Sequence, residues 1–331
     1  MTFSFAKSLS TAIRSQKKVA RILEAVLQPP ARKRRRSASP RLVTTVGFGT
    51  NPGRLVMKSF LPANLPKKPA LVVVLHGCGQ TPESLDAASG FSRLARDRGF
   101  VILYPEQTRS NNSQLCFNWF RPSAIARDRG ELLSIKQMIE YASSRHKINA
   151  NRVFIVGLSA GGAMTAVLLA TYPDLFAGAA IVAGMPVGAV RDAMSALRAM
   201  KSGAAAPTEG WGRRITTISP KPRLWPPITI WHGTADRVVN PANADTSIDQ
   251  WLGAMNIDRR SGDVQTKTWG HLHSWKAANG SAVSLYSIAG MAHGLPIKSR
   301  GGAQRIKDPF VLATNISAPL ELMRLWELPR R

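Results

Sequence analysis

The residue in this chain that most directly implies chemistry is a serine with glycines as its second neighbours. The stretch reads Gly157-Leu158-Ser159-Ala160-Gly161-Gly162. Val153 to Val156 before it is apolar and β-branched, as in a buried strand, and Ala163 to Ala170 after it is rich in helix formers. Gly-x-Ser-x-Gly alone would also suit a Gly/Ser turn with no chemistry. Between a strand and a helix it predicts a nucleophile elbow, a sharp turn that lifts one hydroxyl out at the end of a sheet. Glycines flank such a serine because a Cβ there would strike neighbouring backbone. The helix start also supplies free N–H groups where negative charge would develop.

A serine hydroxyl needs a base to take its proton, and the base needs a carboxylate to hold its tautomer. The elbow architecture predicts the chain order Ser, Asp or Glu, His, with the later two in loops after strands. Of six histidines, His76 precedes Ser159, His146 ends a helix, and His232 precedes the best acid. His271 and His273 share one face of an expected strand. His293 follows a strand end in the glycine-flanked loop Gly290-Met291-Ala292-His293-Gly294, and is the candidate base. The candidate acid is Asp236, which follows the expected strand Ile228–Trp231 through His232-Gly233-Thr234-Ala235. Asp245 and Asp249 fall inside the next expected helix. The alternative for Asp236 is an Asx-turn aspartate paired with Arg237.

An oxyanion would need a second donor from the loop after an early central strand. His76-Gly77-Cys78-Gly79 stands there, so the backbone N–H groups of Cys78 and Ala160 are the candidate donors. Cys78 and Cys116 lie in loops expected to converge at the same sheet edge, and a disulfide between them would pin the aromatic loop over the site. Neither has the spacing of a zinc site, and no metal or cofactor is expected. Phe117-Asn118-Trp119-Phe120 either lines the substrate groove, with Trp119, Asn118 and Phe117 binding substrate, or anchors its loop to the core.

The elements that must position these residues alternate strand and helix. Ala70 to Leu75 is a continuous apolar run, a central strand that leads straight into His76. A helix begins after Thr81, with Pro82 at its first position, and ends at Gly99. Phe100–Tyr104, Val153–Val156, Phe176–Val182 and Ile228–Trp231 follow as strands. Helices over Asp128–His146 and Asn243–Met255 lie between them. Val264–Trp275 and Ala282–Ile288 are expected strands, and Asn315–Leu328 a closing helix. Leu42–Phe48 and Arg54–Phe60 read as two strands around a turn at Thr50-Asn51-Pro52-Gly53. The fold class is α/β, a mostly parallel sheet covered on both faces. Residues 42–331 form this domain. An interruption over 185–226, with one amphipathic helix near Val190–Met200, would be either a lid or a surface excursion.

Residues 1–41 differ from the rest, with eleven basic residues against the single acid Glu24, +10 of the chain's +26. Ser10 to Leu27 has the spacing of an amphipathic basic helix, and Arg32 to Arg36 is a basic run. The segment reads either as a solvated, partly disordered extension or as an arm for an anionic membrane, a granule or nucleic acid. No apolar stretch followed by a cleavage site, and no run of membrane-span length, is present. That favours a cytoplasmic or membrane- or granule-associated location, with an extracellular one as the alternative.

Five motifs together resemble the poly(3-hydroxybutyrate) depolymerase family of esterases, related to feruloyl and acetylxylan esterases in the α/β-hydrolase superfamily. They are Leu75-His76-Gly77-Cys78-Gly79-Gln80, Tyr104-Pro105-Glu106-Gln107, Cys116-Phe117-Asn118-Trp119-Phe120, the Ser159 elbow and the His293 loop. The resemblance covers roughly residues 42–328. It implies Ser159 as nucleophile, Asp236 as acid and His293 as base, agreeing with the reading from the residues. It leaves the substrate open between hydroxybutyrate polymer or oligomer and feruloyl or acetyl esters. Many members of the family are secreted, a pattern this sequence departs from. The remaining alternative, from another class, is a binding module that uses the basic arm.

Overall fold

A computed structural model describes residues 42–220, 224–298, 308–328 and 330. The basic extension over 1–41, with its expected amphipathic helix, lies outside the described residues.

Ten strands form one sheet. They are β1 (Val43–Thr45), β2 (Val56–Phe60), β3 (Leu71–Leu75), β4 (Val101–Glu106), β5 (Val153–Leu158), β6 (Gly178–Val182), β7 (Ile228–Gly233), β8 (Asp263–Lys267), β9 (Gly270–Lys276) and β10 (Ala282–Ile288). Their order across the sheet is β1-β2-β4-β3-β5-β6-β7-β10-β9-β8. The six from β4 to β10 run parallel, and antiparallel strands flank them on both sides. Two short strands, β11 (Leu295–Lys298) and β12 (Val311–Thr314), pair parallel in a small second sheet that the sequence did not announce.

The continuous apolar runs are explained by burial on both faces. Successive side chains of a strand point to opposite sides. Leu71, Val73 and Leu75 enter one core with Ile155 and the helices Gly130–Arg145, Ala160–Thr171 and Ala242–Met255. Val72 and Val74 enter the other with Phe154, Val156 and the helices Phe91–Arg98 and Ala318–Leu325. The Ala160–Thr171 helix is buried at every position, as its apolar surroundings require.

Several expected boundaries move. The helix expected to run unbroken to Gly99 is two, Pro82–Ser89 and Phe91–Arg98, broken where Gly90 adopts φ 77°. The expected strand Val264–Trp275 is a hairpin, because the chain turns at Thr268-Trp269 and the Trp269 ring stacks on Tyr286. β1 and β2 pair antiparallel, but the connection is longer than the expected tight turn. Among the described residues of 185–226 there are two helices, Ala193–Ser202 and Trp211–Ile218. The second buries Ile215 in the body, and the first buries Ala196 and Ala199 in the same core.

Candidate active site

Ser159 stands between the end of β5 and the Ala160–Thr171 helix with φ 57° and ψ −117°. This is a conformation that side chains other than glycine rarely hold unless the surroundings enforce it. The enforcement is visible. A Cβ on Gly157 would lie 2.1 Å from the Gly161 carbonyl oxygen, and one on Gly161 would lie 2.5 Å from that of Leu75. The Ser159 N–H is also held by the Val182 carbonyl at 2.8 Å. The two glycines therefore let helix and strand meet closely enough to turn the serine outward, and Ser159 lines a cleft.

Asp236 and His293 come from loops after β7 and β10, which are neighbours in the sheet. Backbone bonds stitch the two loops together: Thr234 N–H to Ile288 O at 3.0 Å and Ala235 N–H to Met291 O at 3.0 Å. The Gly290 N–H donates to Thr234 Oγ1 at 2.9 Å. His293 Nδ1 lies 2.8 Å from Asp236 Oδ2, with both side chains buried. The other imidazole nitrogen of His293, Nε2, is buried and has no hydrogen-bond partner among the described residues. Ser159 is thus brought to the same end of the sheet as the pair, but not into hydrogen-bond contact with His293.

The Asp236 carboxylate is fully engaged. Oδ1 accepts the N–H groups of Val238 and Val239, each at 2.8 Å. Oδ2 faces His293 and also His232 Nε2 at 3.3 Å. Burial alone would raise the Asp236 pKa, but the hydrogen bonds from His232 and His293 hold it well below the usual carboxylate range. His232 was set aside as a base because it precedes the acid in the chain. Its contact with the acid itself had no sequence signal beyond an i, i+4 spacing.

Cys78 and Ala160 both line the cleft beside Ser159. Among the described residues, neither backbone N–H donates to an acceptor. The loop carrying Cys78 is braced by hydrogen bonds and a covalent link. Gly77 N–H donates to Gln80 Oε1 at 2.7 Å, and Gln80 Nε2 donates to Asp308 at 2.9 Å. His76 Nε2 accepts the Gln107 N–H at 3.1 Å, which leaves Nδ1 to carry the proton toward the Gly77 carbonyl at 2.8 Å. Complete burial pushes the His76 pKa down to about 4, so the ring is neutral. A further brace is covalent: Cys78 and Cys116 are joined in a disulfide with an S–S separation of 2.02 Å.

The aromatic segment divides. Trp119 and Phe120 line the cleft. Phe117 and Asn118, expected to bind substrate, turn into the protein instead. Phe117 is fully buried against the His76 ring, at 4.9 Å between centroids. Asn118 is bonded through its backbone and side chain to the buried carboxylate of Glu131. Glu131 also takes Gln107 at 2.9 Å and Asn111 at 3.0 Å. It thereby organises the whole 105–120 loop, although burial pushes its carboxyl pKa up against these bonds. Nothing in the sequence marked it. The remaining cleft wall is apolar: Met185 and Val239, with Ala193, Ala196, Leu197 and Met200 from the Ala193–Ser202 helix.

No cluster of metal-ligating side chains occurs among the described residues. No helix among them is long and apolar enough to cross a membrane.

Residues 57–267 match the family described as esterase PHB depolymerase. A poly(3-hydroxyalkanoate) depolymerase C from Paucimonas lemoignei is 42% identical over 284 residues, covering 83% of this chain and 67% of the relative. A feruloyl esterase B from Talaromyces stipitatus is 31% identical, covering 77% of this chain and 72% of its own. An acetylxylan esterase from Coprinopsis cinerea is 30% identical over 75% of this chain and 68% of its own. Among solved structures, an acetyl xylan esterase from Aspergillus awamori superposes with a TM-score of 0.72 at 22% identity, over 87% of this chain and 100% of that one. That likeness shows the fold, the α/β-hydrolase architecture.

Proposed function

The chain belongs to the esterase PHB depolymerase family, and from that premise we propose a serine carboxylic-ester hydrolase with Ser159 as nucleophile, His293 as general base and Asp236 as its orienting acid. The observation that carries this reading is the buried His293–Asp236 pair, whose Nε2 is left without a partner at the sheet end where the elbow lifts Ser159. Asp236 holds the proton on Nδ1, so Nε2 is the nitrogen free to accept.

In the proposed reaction Ser159 Oγ attacks the ester carbonyl carbon while His293 Nε2 takes the hydroxyl proton. The carbonyl oxygen becomes an oxyanion and receives the N–H groups of Cys78 and Ala160, each such donor contributing about 3 kcal/mol in the transition state. Collapse breaks the bond to the alkoxy group. His293 returns the proton to it, and an acyl ester remains on Ser159. Water, deprotonated by the same nitrogen, then releases the acid.

The substrate class supported best is the poly- or oligo-3-hydroxybutyrate type. The cleft beside Ser159 is walled by methionine, leucine, valine and alanine side chains, which suit aliphatic acyl groups. A second reading, a feruloyl-type esterase, is favoured by Trp119 and Phe120, whose rings would stack on an aromatic acid. The test has two parts. Ser159→Ala should stay folded and lose turnover on p-nitrophenyl butyrate by about 10⁶-fold, as removal of a triad serine does elsewhere; a variant keeping a tenth of wild-type turnover sinks the assignment. Comparing kcat/KM for a hydroxybutyrate oligomer, methyl ferulate and an acetylated xylan oligomer decides the substrate.

A further inference from the structure

His232 is the next-to-last residue of β7, with its side chain buried, four residues before Asp236. Its Nε2 lies 2.9 Å from the Val239 carbonyl oxygen and 3.3 Å from Asp236 Oδ2. Both neighbours are acceptors, so Nε2 must carry a proton. The opposite nitrogen, Nδ1, is buried and has no partner among the described residues. A proton there would be a buried donor with nothing to receive it, which is costly, so the ring is a neutral Nε2–H tautomer. Asp236 Oδ2 therefore sits at the corner of two imidazoles. One, His293, keeps an Nε2 without a partner among the described residues. The other has no route to substrate.

We propose that His232 is a positioning residue for the ester hydrolysis: its single N–H, shared between Asp236 Oδ2 and the Val239 carbonyl, locks the carboxylate plane so that Oδ2 faces His293 Nδ1. The inference rests on the Ser159–His293–Asp236 reading above. Its physical logic is that Oδ1 is already fixed by the N–H groups of Val238 and Val239. Rotation about the Cβ–Cγ bond moves both oxygens, so donors at the two of them oppose it together. The His232 N–H adds a hold on Oδ2 that is independent of His293. Because that donor is uncharged, it does so without placing a second cation beside the imidazolium that forms on His293 during catalysis. The same N–H ties Val239, a residue of the cleft wall, to the acid.

Two nearly isosteric variants separate positioning from bulk structure. A glutamine can put its amide nitrogen where Nε2 stands, whereas an asparagine is too short and reaches only the Nδ1 position. Active sites are titrated by the p-nitrophenol burst, and kcat is expressed per titrated site. His232→Asn is expected to lower kcat about 10- to 100-fold with KM for p-nitrophenyl butyrate within twofold of wild type, the effect of losing a hydrogen bond to a charged group. His232→Gln is expected to recover most of that loss. The proton NMR resonance of His293 Nδ1–H should move in the asparagine variant and hold its position in the glutamine variant. Equal kcat per site in wild type and His232→Asn, or equal losses in both variants, overturns the proposal, as does an Nδ1–H resonance unmoved by asparagine. The resonance reads the His293–Asp236 contact without turnover. A wild type that shows the resonance but no burst therefore counts against the hydrolase reading, while the two variants still decide the role of His232.

Discussion

The carbonyl oxygen of Met291 lies 2.1 Å from the point where a Cβ of Gly233 would stand. That oxygen also accepts the Ala235 N–H at 3.0 Å, so the loop carrying His293 rests on the backbone of the loop carrying Asp236 with no space for a side chain. The closeness of the two loops sets the 2.8 Å contact between base and acid. Gly233→Ala must push the His293 loop away. The variant should fold, and kcat should fall about 100-fold, the usual cost of an ångström-scale misplacement in an active site. Steady-state kinetics beside a thermal melt check this; a variant with wild-type kcat would show that the loop shifts without disturbing the pair.

The same close approach explains what was legible beforehand. The Ser159 elbow is local, with strand, turn and helix contiguous in the chain, so its pattern survives as text. Asp236 and His293 were readable because parallel strands place successive loops at one sheet edge. What failed to show was set by contacts across the fold. Glu131 gathers Gln107, Asn111 and Asn118 from a loop that precedes it, and no spacing rule announces such a hub. Phe117 and Asn118 read as part of an aromatic binding strip, yet Phe117 packs on the His76 ring and Asn118 bonds Glu131, and of the four residues only Trp119 and Phe120 reach the cleft. The turn at Thr268-Trp269 lies inside a run read as one strand; Gly270 follows it with φ 138°, where a Cβ would stand 2.1 Å from the Ser287 carbonyl oxygen.

The disulfide should matter to catalysis as well as stability. It joins the loop of a proposed oxyanion donor to the segment bearing Trp119, across a sequence separation of 38 residues. Chain entropy for a closed loop of that size corresponds to about 4 kcal/mol of stability. Cys78→Ala with Cys116→Ala should lower the urea midpoint accordingly. At temperatures where the variant remains folded, kcat should drop more than KM rises, because the donor N–H loses a brace while the apolar wall persists. A variant that is less stable yet fully active would confine the bridge to a structural role.

His76 gives the stability a pH dependence with a definite sign. Its folded pKa is about 4 against an ordinary value of 6.5, because burial disfavours the charged ring. Between those values the unfolded chain binds a proton that the folded protein does not, so stability rises with pH across that window and falls as pH drops through it. The full effect is about 3 kcal/mol. Asp236 acts in a separate window: its depressed pKa contributes stability above the ordinary carboxylate value, lost only as pH falls further. His76→Gln should therefore flatten the slope of unfolding free energy between about pH 6.5 and 4 relative to wild type. Urea titrations at three pH values measure it, and parallel slopes would assign the acid sensitivity to other groups.

Ala196 tests which part of the molecule measures the acyl group. It lies on the Ala193–Ser202 helix, is nearly fully buried, and contributes to the cleft wall with Leu197 and Met200. A phenylalanine there would fill space on the Ser159 side of the helix, at a stability cost of about 1–3 kcal/mol for the added bulk. If this wall contacts the substrate chain, Ala196→Phe should keep kcat/KM for p-nitrophenyl acetate within about threefold and reduce it tenfold or more for the octanoate, a loss of the order that lost apolar contacts give. Trp119→Ala, at another point of the cleft lining, should instead weaken binding of a hydroxybutyrate oligomer through KM. The chain-length profile of p-nitrophenyl esters for wild type and both variants makes the measurement. A uniform loss across all chain lengths would mean that the helix supports the fold and that acyl selection lies elsewhere.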